Sequence, residues 1–243
     1  MAREITRRRA LAAGGSIVAF GGGVSYFATR SGSTAAGYVP TAIHASEETT
    51  GFGVDLDGRP IAGSRDALVD IYYWTDFLCP FCAAFEAETL PEIGSEYVDT
   101  GEARLVALSY PNIGSYSGPA AVWSRCVWEQ VADSKPVAYW RWHGAAFDEQ
   151  PESGTDWADE ATFADVTDRT GNVPLGAVES CRESRAGSIR ESIDADVGVA
   201  QRAGIQGTPG FVIYNREADS AGKLVGAHPF ENFVKAIDRV LAA

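Results

Sequence analysis

The sequence predicts an α/β fold in which a β-α-β unit and a β-β-α unit flank a block of helices. The apolar, β-branched and aromatic run Leu68–Thr75 is typical of a strand covered on both faces, and a helix-compatible stretch follows it. Residues 118–190 are mostly helical in pattern. Two further strand-like runs and an amphipathic helix then close the chain.

The composition fits one acidic domain. The chain has 243 residues, of which 45% are hydrophobic, enough for a sizeable core. Its formal charge is −13; the first 36 residues carry +4, so the rest carries −17. Nucleic acids and anionic membranes are therefore not expected as partners. The only lysines are Lys135, Lys223 and Lys235. This acidic, lysine-poor character favours a halophilic protein, with an ordinary acidic protein as the alternative.

The N-terminal segment, residues 1–36, has the pattern of an export signal. Arginines at positions 7–9 follow a threonine and precede a glycine- and alanine-rich apolar run, which resembles a twin-arginine signal. Small residues at 33–36 offer cleavage sites. An uncleaved N-terminal anchor is the alternative, because residues 10–28 are long enough to span a bilayer. Either way the folded part is expected to be extracytoplasmic, secreted or tethered, after a polar linker at residues 37–50.

The first half of the predicted domain, residues 51–243, contains three β segments. Residues 52–64 surround the turn signal Asp57-Gly58, which predicts a short β-hairpin or an edge extension. Leu68–Thr75 is the first central strand. Residues 104–109 form the next strand, expected to run parallel to the first because a helix connects them.

A helical insertion is expected over about residues 117–200. Short polar stretches and the stop signal Gly171-Asn172 divide it into several helices, the last two predicted as separate. Apolar residues recur there at helical spacing: Trp123, Val127, Val131, Phe163, Val166, Leu175, Val178, Ile189, Ile193, Val197 and Ala200. An aromatic cluster is expected to be core rather than a ligand cage. Its members are Tyr139, Trp140, Trp142, His143 and Phe147.

The chain then returns to β structure. Residues 205–214 contain a turn that leads into a strand, and residues 223–226 are its expected antiparallel partner. An amphipathic helix closes the chain, since its apolar residues fall on one helical face. They are Phe230, Phe233, Val234, Ile237 and Leu241.

The tetrapeptide Cys79-Pro80-Phe81-Cys82 stands where the first central strand gives way to a helix that is interrupted near Pro91. Free backbone N–H groups and the dipole at a helix N-terminus lower the pKa of a thiol. Cys79 is therefore predicted to be the exposed attacking thiol, and Cys82, one turn later and shielded, the resolving thiol. Pro80 suits the first helical turn because its missing N–H would have no partner there.

Other interpretations of Cys79 and Cys82 explain less. A zinc site needs two more ligands, and the sequence has no second Cys-x-x-Cys. A purely structural disulfide closing so short a loop would constrain little chain entropy. Two inert core thiols are not expected at the start of a helix. Thiol–disulfide exchange is therefore the favoured chemistry.

Residues 59–243 resemble the DsbA-like thiol:disulfide oxidoreductase family, which has the thioredoxin fold. Residues 74–82, Trp-Thr-Asp-Phe-Leu-Cys-Pro-Phe-Cys, are similar to the end of that family's active-site strand. Residues 207–213, Gly-Thr-Pro-Gly-Phe-Val-Ile, are similar to its cis-proline loop, and residues 140–147 to its helical insertion. The resemblance implies a thioredoxin fold with a helical insertion and a redox-active Cys79–Cys82 disulfide as the only redox group.

The resemblance also implies how the site is supported. Thr208–Pro209 would be a cis peptide facing the two sulfurs, beside Pro80 and Phe81. The backbone of Thr208 would pair with an extended substrate chain in the manner of an added strand. Varied unfolded proteins would then bind without their side chains being recognised.

Two positions depart from the family pattern. The family often has an acidic residue six positions before the first cysteine, which assists proton transfer at the buried thiol, and here that residue is Tyr73. Asp70 has the opposite strand parity and Asp76 is expected to be exposed, so this role is unassigned. Phe81 stands where the strongest oxidant of the family has a histidine, which implies a less oxidising disulfide.

Four cysteines allow two disulfides in three possible pairings. Some exported DsbA-like proteins have a second cysteine pair at matching places, which supports a Cys126–Cys181 disulfide. A structural staple between two helices is the expected role, and an electron relay to the active site is the alternative. The three histidines, His44, His143 and His228, receive no catalytic role.

The sequence therefore predicts an exported, monomeric enzyme that exchanges disulfides with unfolded or cysteine-containing proteins, mainly by oxidising them. A membrane-bound or soluble redox partner would recycle it, and neither a metal nor a further cofactor is expected. A reductase or isomerase of the same fold is one alternative. A thioredoxin-fold binding or chaperone module with a structural disulfide is the other.

Overall fold

A computed structural model describes residues 37–47 and 51–243, so the export segment predicted at residues 1–36 lies outside the described part. The strands are β1 Ile43–Ala45, β2 Pro60–Gly63, β3 Val69–Thr75, β4 Ala103–Ser109, β5 Gly210–Asn215 and β6 Ser220–Val225. The helices are α1 Pro80–Glu88, α2 Leu90–Ile93, α3 Ser117–Val131, α4 Pro136–Asp148, α5 Glu160–Thr170, α6 Leu175–Arg202 and α7 Phe230–Leu241. Across these described ranges, no helix is both long and apolar enough to cross a bilayer.

The strands form one sheet in the order β1-β2-β4-β3-β5-β6. The β3 strand lies inside it, parallel to β4 and antiparallel to β5, and all seven of its residues are buried. This explains its continuous apolar sequence, because helices or loops cover both of its faces. The predicted β-α-β and β-β-α halves around a helical insertion are therefore confirmed.

The edge of the sheet beside β2 differs from the prediction. The linker expected at residues 37–50 contains the strand β1, which pairs antiparallel with β2. The turn at Asp57-Gly58 is present, with Gly58 at φ +68°, but it does not close a hairpin within residues 52–64. The segment instead extends the sheet through β2, which pairs with β4, as the alternative to a hairpin predicted. The short strand β1 is flanked by polar residues, and only its pairing with β2 and its half-burial reveal it.

The helix after Cys79 is interrupted near Pro91, as predicted. The first helix, α1, ends at Glu88, α2 begins at Leu90, and a π-helical turn follows at Gly94–Val98. Pro91 lacks the N–H that a continuous helix would need and lies in the first turn of α2, where that N–H is not required.

The last two helices predicted in the insertion form a single helix. The α6 helix runs without a break over 28 residues, Leu175–Arg202, and the expected division is wrong. Its middle is polar and contains Gly187, which a helix tolerates at a cost of about 1 kcal/mol relative to alanine. Apolar residues on either side, such as Val178 and Ile193, are buried and stabilise the whole length.

Successive side chains of β3 point to opposite faces of the sheet, and each face carries its own layer of hydrophobic core. Ile71 and Tyr73 belong to the larger cluster, which includes α1, α7 and most of the helical insertion. Tyr72 and Trp74 belong to a smaller cluster with the end of α6, where Trp74 Nε1 donates to the Asp196 carbonyl at 3.1 Å. The aromatic cluster of α4 is buried in the larger core, as predicted.

Candidate active site

The two thiols lie at the start of α1. Cys79 is the N-cap residue, Pro80 occupies the first helical turn, and the Cys82 N–H donates to the Cys79 carbonyl at 3.0 Å. Both cysteines are free thiols, and Cys82 is fully buried, as predicted for a shielded residue. Cys79 was expected to be exposed, and this is wrong: only 2% of it is accessible. The Thr208 carbonyl covers it, accepting a hydrogen bond from Cys79 Sγ at 3.2 Å.

The loop that covers Cys79 is positioned by the sheet. The strand β5 starts at Gly210, and Gly210 is the register partner of Trp74 near the end of β3. This pairing carries the preceding Thr208 and Pro209 to the edge where α1 begins. The Thr208–Pro209 peptide bond is cis, which is the geometry that the family resemblance implies.

The electrostatics of the two thiols differ. The pKa of Cys79 is lowered to about 6, chiefly by a hydrogen bond from the Cys82 thiol. The Thr208 side chain and the backbone N–H groups of Phe81 and Cys82 lower it further. Burial raises the pKa of Cys82 well above its ordinary value, and the neighbouring Cys79 raises it further. Cys79 is therefore the thiolate near neutral pH, and Cys82 holds the proton.

Asp76 is not exposed, contrary to the sequence-based expectation. Its carboxylate is buried and accepts the backbone N–H groups of Leu78 at 3.0 Å, Asn112 at 2.8 Å and Ile113 at 3.1 Å. These bonds satisfy the buried charge, which explains why it can lie beneath the surface. They also join the loop before Cys79 to the loop after β4.

Gln150 also supports the loop before Cys79, a role that was not predicted. Its side-chain amide donates to the carbonyls of Phe77 at 2.6 Å and Cys79 at 3.2 Å. Gln150 follows the end of α4, far from the cysteines in sequence, and neither periodicity nor spacing marks it. Only the packing of α4 against α1 reveals its role.

A buried polar cluster lies behind Cys82. Thr75 Oγ1 donates to the Tyr73 hydroxyl at 2.8 Å, and His143 Nε2 lies 2.9 Å from Glu86 Oε1. His143 is packed in the aromatic cluster as expected, but it also has this acidic partner. Glu86 was missed, although the sequence holds a signal: it follows Cys82 by four residues and so lies on the same face of α1.

Asp70 is the acidic residue of β3, and its carboxylate has partners other than the thiols. Asp70 forms a buried ion pair with Arg104 and accepts a hydrogen bond from Tyr72 at 2.8 Å. Its side chain points away from the face that Tyr73 shares with α1, which agrees with the opposite parity noted in the sequence.

Two large apolar side chains are exposed near the thiols. Phe81 is 64% exposed beside Cys79, and Ile113 is 42% exposed in the loop that Asp76 holds. Thr208 Oγ1 lies 3.4 Å from Asn112 Oδ1, so this loop and the cis-proline loop are neighbours. Together they give the thiols an apolar rim.

The remaining cysteines form a disulfide away from this rim. Cys126 of α3 is bonded to Cys181 of α6, with Cα atoms 5.8 Å apart and a sequence separation of 55. This is the pair that the family resemblance supports. In the ranges 37–47 and 51–243, no group of three or more His, Cys, Asp or Glu side chains is arranged to hold a metal.

Comparison with known proteins gives consistent matches. A profile of the thioredoxin family (Thioredoxin_4) matches residues 55–239. The chain is 24% identical to disulfide bond formation protein D of Bacillus subtilis (strain 168) over 161 residues, 66% of this chain and 70% of that protein. It is 26% identical to probable disulfide bond formation protein D of Bacillus cereus over 180 residues, 74% of this chain and 77% of that protein.

Two solved structures share the fold. Oxidised BdbD from Bacillus subtilis has a TM-score of 0.64 at 23% identity, covering 76% of this chain and 94% of that one. The alpha-DsbA1 protein of Wolbachia pipientis has a TM-score of 0.64 at 20% identity, covering 78% of this chain and 94% of that one.

Proposed function

Because this chain belongs to the thioredoxin family, we propose that it is an exported thiol–disulfide oxidoreductase that acts on protein substrates through Cys79 and Cys82. The observation that carries the proposal is the pairing of a low-pKa thiol at a helix N-terminus with a buried, high-pKa thiol one turn later. One thiol is suited to attack or to leave, and the other to resolve the mixed disulfide.

In the oxidising direction, a substrate thiolate attacks Cys79 Sγ of the Cys79–Cys82 disulfide. The S–S bond breaks, Cys82 leaves as a thiolate, and it takes up a proton because its pKa is high. A second substrate thiolate then attacks the substrate sulfur of the mixed disulfide, and Cys79 leaves as a thiolate. Two electrons pass from the substrate dithiol to the enzyme disulfide.

The lowered pKa of Cys79 supports oxidation as the direction. A stabilised thiolate favours the reduced enzyme, so the enzyme disulfide accepts electrons readily. The relatives in Bacillus are named for disulfide bond formation, which agrees with this direction. Phe81 supplies no cation near the thiolate, so the disulfide is less oxidising than one with histidine there.

Unfolded or cysteine-containing proteins fit the surface around the thiols. The exposed side chains of Phe81 and Ile113 offer apolar contact on an open surface. The Thr208 backbone offers hydrogen bonds to an extended substrate chain. In the reduced state that the structure describes, Cys79 is almost covered, so the Thr208 carbonyl must move aside before Cys79 can attack a disulfide.

The setting of the enzyme is part of the same proposal. The signal-like residues 1–36 support an extracytoplasmic location, where disulfides persist. A redox partner that holds a disulfide or another two-electron acceptor would reoxidise the cysteines. The enzyme works as a monomer and needs no cofactor besides its own disulfide.

The test is activity in both directions with a single cysteine removed. Wild-type protein should oxidise a reduced two-cysteine peptide and should reduce insulin with dithiothreitol as the reductant, whereas Cys79→Ser should do neither. The double variant Cys126→Ser/Cys181→Ser is the matched control and should retain both activities. Wild-type activity in Cys79→Ser would overturn the proposal, and a wild-type protein that is inactive in both assays would leave a binding or chaperone module instead.

A further inference from the structure

The proposed function requires a proton to enter and leave the buried Cys82 in every cycle. Its thiol is fully covered, and its raised pKa means that it carries a proton whenever the enzyme is reduced. That proton must leave before Cys82 can attack a mixed disulfide at Cys79. The described structure places no acid at the family's usual position, because Tyr73 stands there.

The geometry of β3 brings two hydroxyl groups to this thiol. Tyr73 and Thr75 are two residues apart on one strand, so both side chains lie on the same face of the sheet. Thr75 Oγ1 donates to the Tyr73 hydroxyl at 2.8 Å, and both are buried. The Tyr73 ring packs against Phe85 of α1, with centroids 4.8 Å apart, which fixes the phenol beside that helix.

The α1 helix brings the acid. Glu86 lies one turn after Cys82 on the same buried face, and it is only 5% exposed. Its carboxylate is paired with His143 Nε2 at 2.9 Å. A carboxylate held this deep in an apolar core needs such partners, and it costs stability that a neutral side chain would not.

Of the two hydroxyl groups, that of Thr75 acts on the Cys82 thiol, and that of Tyr73 interacts with the Glu86 carboxylate. Donation of a hydrogen bond from the Thr75 hydroxyl to the Cys82 thiolate lowers the pKa of Cys82 and so opposes the effect of burial. Burial raises the pKa of Tyr73 well above its ordinary value, and the charge of Glu86 and a hydrogen bond to it raise that pKa further. Tyr73 therefore keeps its proton and can only pass one on. The other titratable groups around Glu86 and Cys82 are Tyr139 and Cys79.

We propose that Thr75, Tyr73 and Glu86 form a proton relay that deprotonates Cys82, with Glu86, paired with His143, as the acceptor. Thr75 contacts the reacting sulfur, and Tyr73 and Glu86 are positioning residues that act through it. The hydrogen bond between the two hydroxyl groups already runs in this direction, since Thr75 donates to Tyr73.

Protons and electrons both balance when a disulfide-bearing partner reoxidises the enzyme. Cys82 S–H gives its proton to Thr75, Thr75 gives its own to Tyr73, and Tyr73 gives its own to the Glu86 carboxylate. The Cys82 thiolate attacks Cys79 Sγ of the mixed disulfide, the Cys79–Cys82 bond forms, and the partner sulfur leaves as a thiolate. Reduction by substrate runs the same relay backwards.

The test separates the attack by Cys79 from resolution by Cys82. Reduced enzyme is mixed rapidly with glutathione disulfide, and the first and second glutathione thiolates released are followed from pH 5 to pH 9. In Tyr73→Phe, the first phase and the Cys79 titration should be unchanged. The second phase should slow at least about tenfold near pH 6, a fraction of what acid–base catalysis typically contributes, and recover at high pH where hydroxide removes the proton.

Matched variants distinguish the relay from a packing effect. Glu86→Gln should show the same pH-dependent defect, and Tyr72→Phe, which removes a hydroxyl on the opposite face of β3, should resolve at the wild-type rate. If Tyr73→Phe fails to fold, the rates of the second phase in Thr75→Val and Thr75→Ser are compared instead. Valine removes the hydroxyl group and should show the defect, whereas serine keeps it and should not. A second phase in Tyr73→Phe that matches wild type, or is slowed equally at every pH, overturns the relay. Absence of both phases in wild type overturns the proposed function itself.

Discussion

The Sγ atom of Cys79 lies 3.2 Å from the carbonyl oxygen of Thr208, 129 residues later in the chain. A thiol can donate to a carbonyl, but a thiolate cannot, so this contact exists only while Cys79 is protonated. Deprotonation therefore removes the bond that holds the cover over the sulfur. Ionisation and access are coupled at this site.

We expect the thiolate absorbance of Cys79 at 240 nm to rise with a midpoint near pH 6, because hydrogen bonds stabilise the ionised sulfur. The rate of alkylation by iodoacetamide should rise through the same midpoint. Cys82→Ser is the informative comparison, since the Cys82 thiol makes the largest contribution and the midpoint should shift when it is replaced. A midpoint near 9 in the reduced wild-type protein would contradict the assignment.

The stability of the reduced protein should depend on pH in a definite direction. The pKa of Cys79 is about 6 in the folded state and near the ordinary thiol value of 9.0 when unfolded, so the unfolded chain binds more protons between these values. The free energy of unfolding should therefore rise from pH 6 towards pH 8.5 and lose this contribution as the pH falls through 6. Urea titrations of reduced wild type and Cys79→Ser measure the difference, which should vanish in the oxidised protein.

Replacing Phe81 with histidine should make the disulfide more oxidising. A protonated imidazole two residues after the N-cap would stabilise the Cys79 thiolate and lower its pKa below about 6. Each unit of that shift corresponds to up to about tenfold in the equilibrium with glutathione. Phe81→Leu, which keeps an exposed apolar side chain, should leave the equilibrium where it is. An unchanged equilibrium in Phe81→His would refute the link between residue 81 and redox potential.

Replacing both Cys126 and Cys181 with alanine should lower the free energy of unfolding by on the order of 4 kcal/mol, because the disulfide closes a long loop between α3 and α6. Chemical denaturation measures the loss, and peptide oxidation below the melting temperature should proceed at the wild-type rate. Lost turnover with unchanged stability would instead indicate the electron relay.

The acidic, lysine-poor composition predicts a protein stabilised by salt. Screening of the net −17 over residues 37–243 should raise the melting temperature as KCl increases to molar concentration. A neutral solute such as sucrose at equal osmolality is the control, since it does not screen charge. Indifference of the melting temperature to KCl would mark an ordinary acidic protein.

The central elements of the fold could be predicted because each has a strong local pattern. The β3 strand is a continuous apolar run bounded by Cys79, and α7 has an apolar stripe on one face. The two thiols and Pro209 could be located because their motifs are short and ordered along the chain. The edge strand β1 has only three residues, and its sequence resembles the polar segments around it.

The surroundings of the thiols could not be predicted because distant elements create them. Cys79 is covered by Thr208, and Asp76 is buried because the loop after β4 supplies two of its donors. Glu86 is an acid in a helix, which by itself indicates a solvated side chain. Only the packing of α4 places His143 beside it.

The position of β5 has a consequence for synthesis. The dithiol is complete once Cys82 has been made, but the β5 strand that completes the pairing of β3 and carries Thr208 into place follows the whole helical insertion. Contacts of such high sequence separation form late and slow folding. A ribosome-bound chain that ends within α6 would thus display two thiols with no carbonyl above them. The segment that begins at Thr208 therefore decides when the dithiol becomes covered.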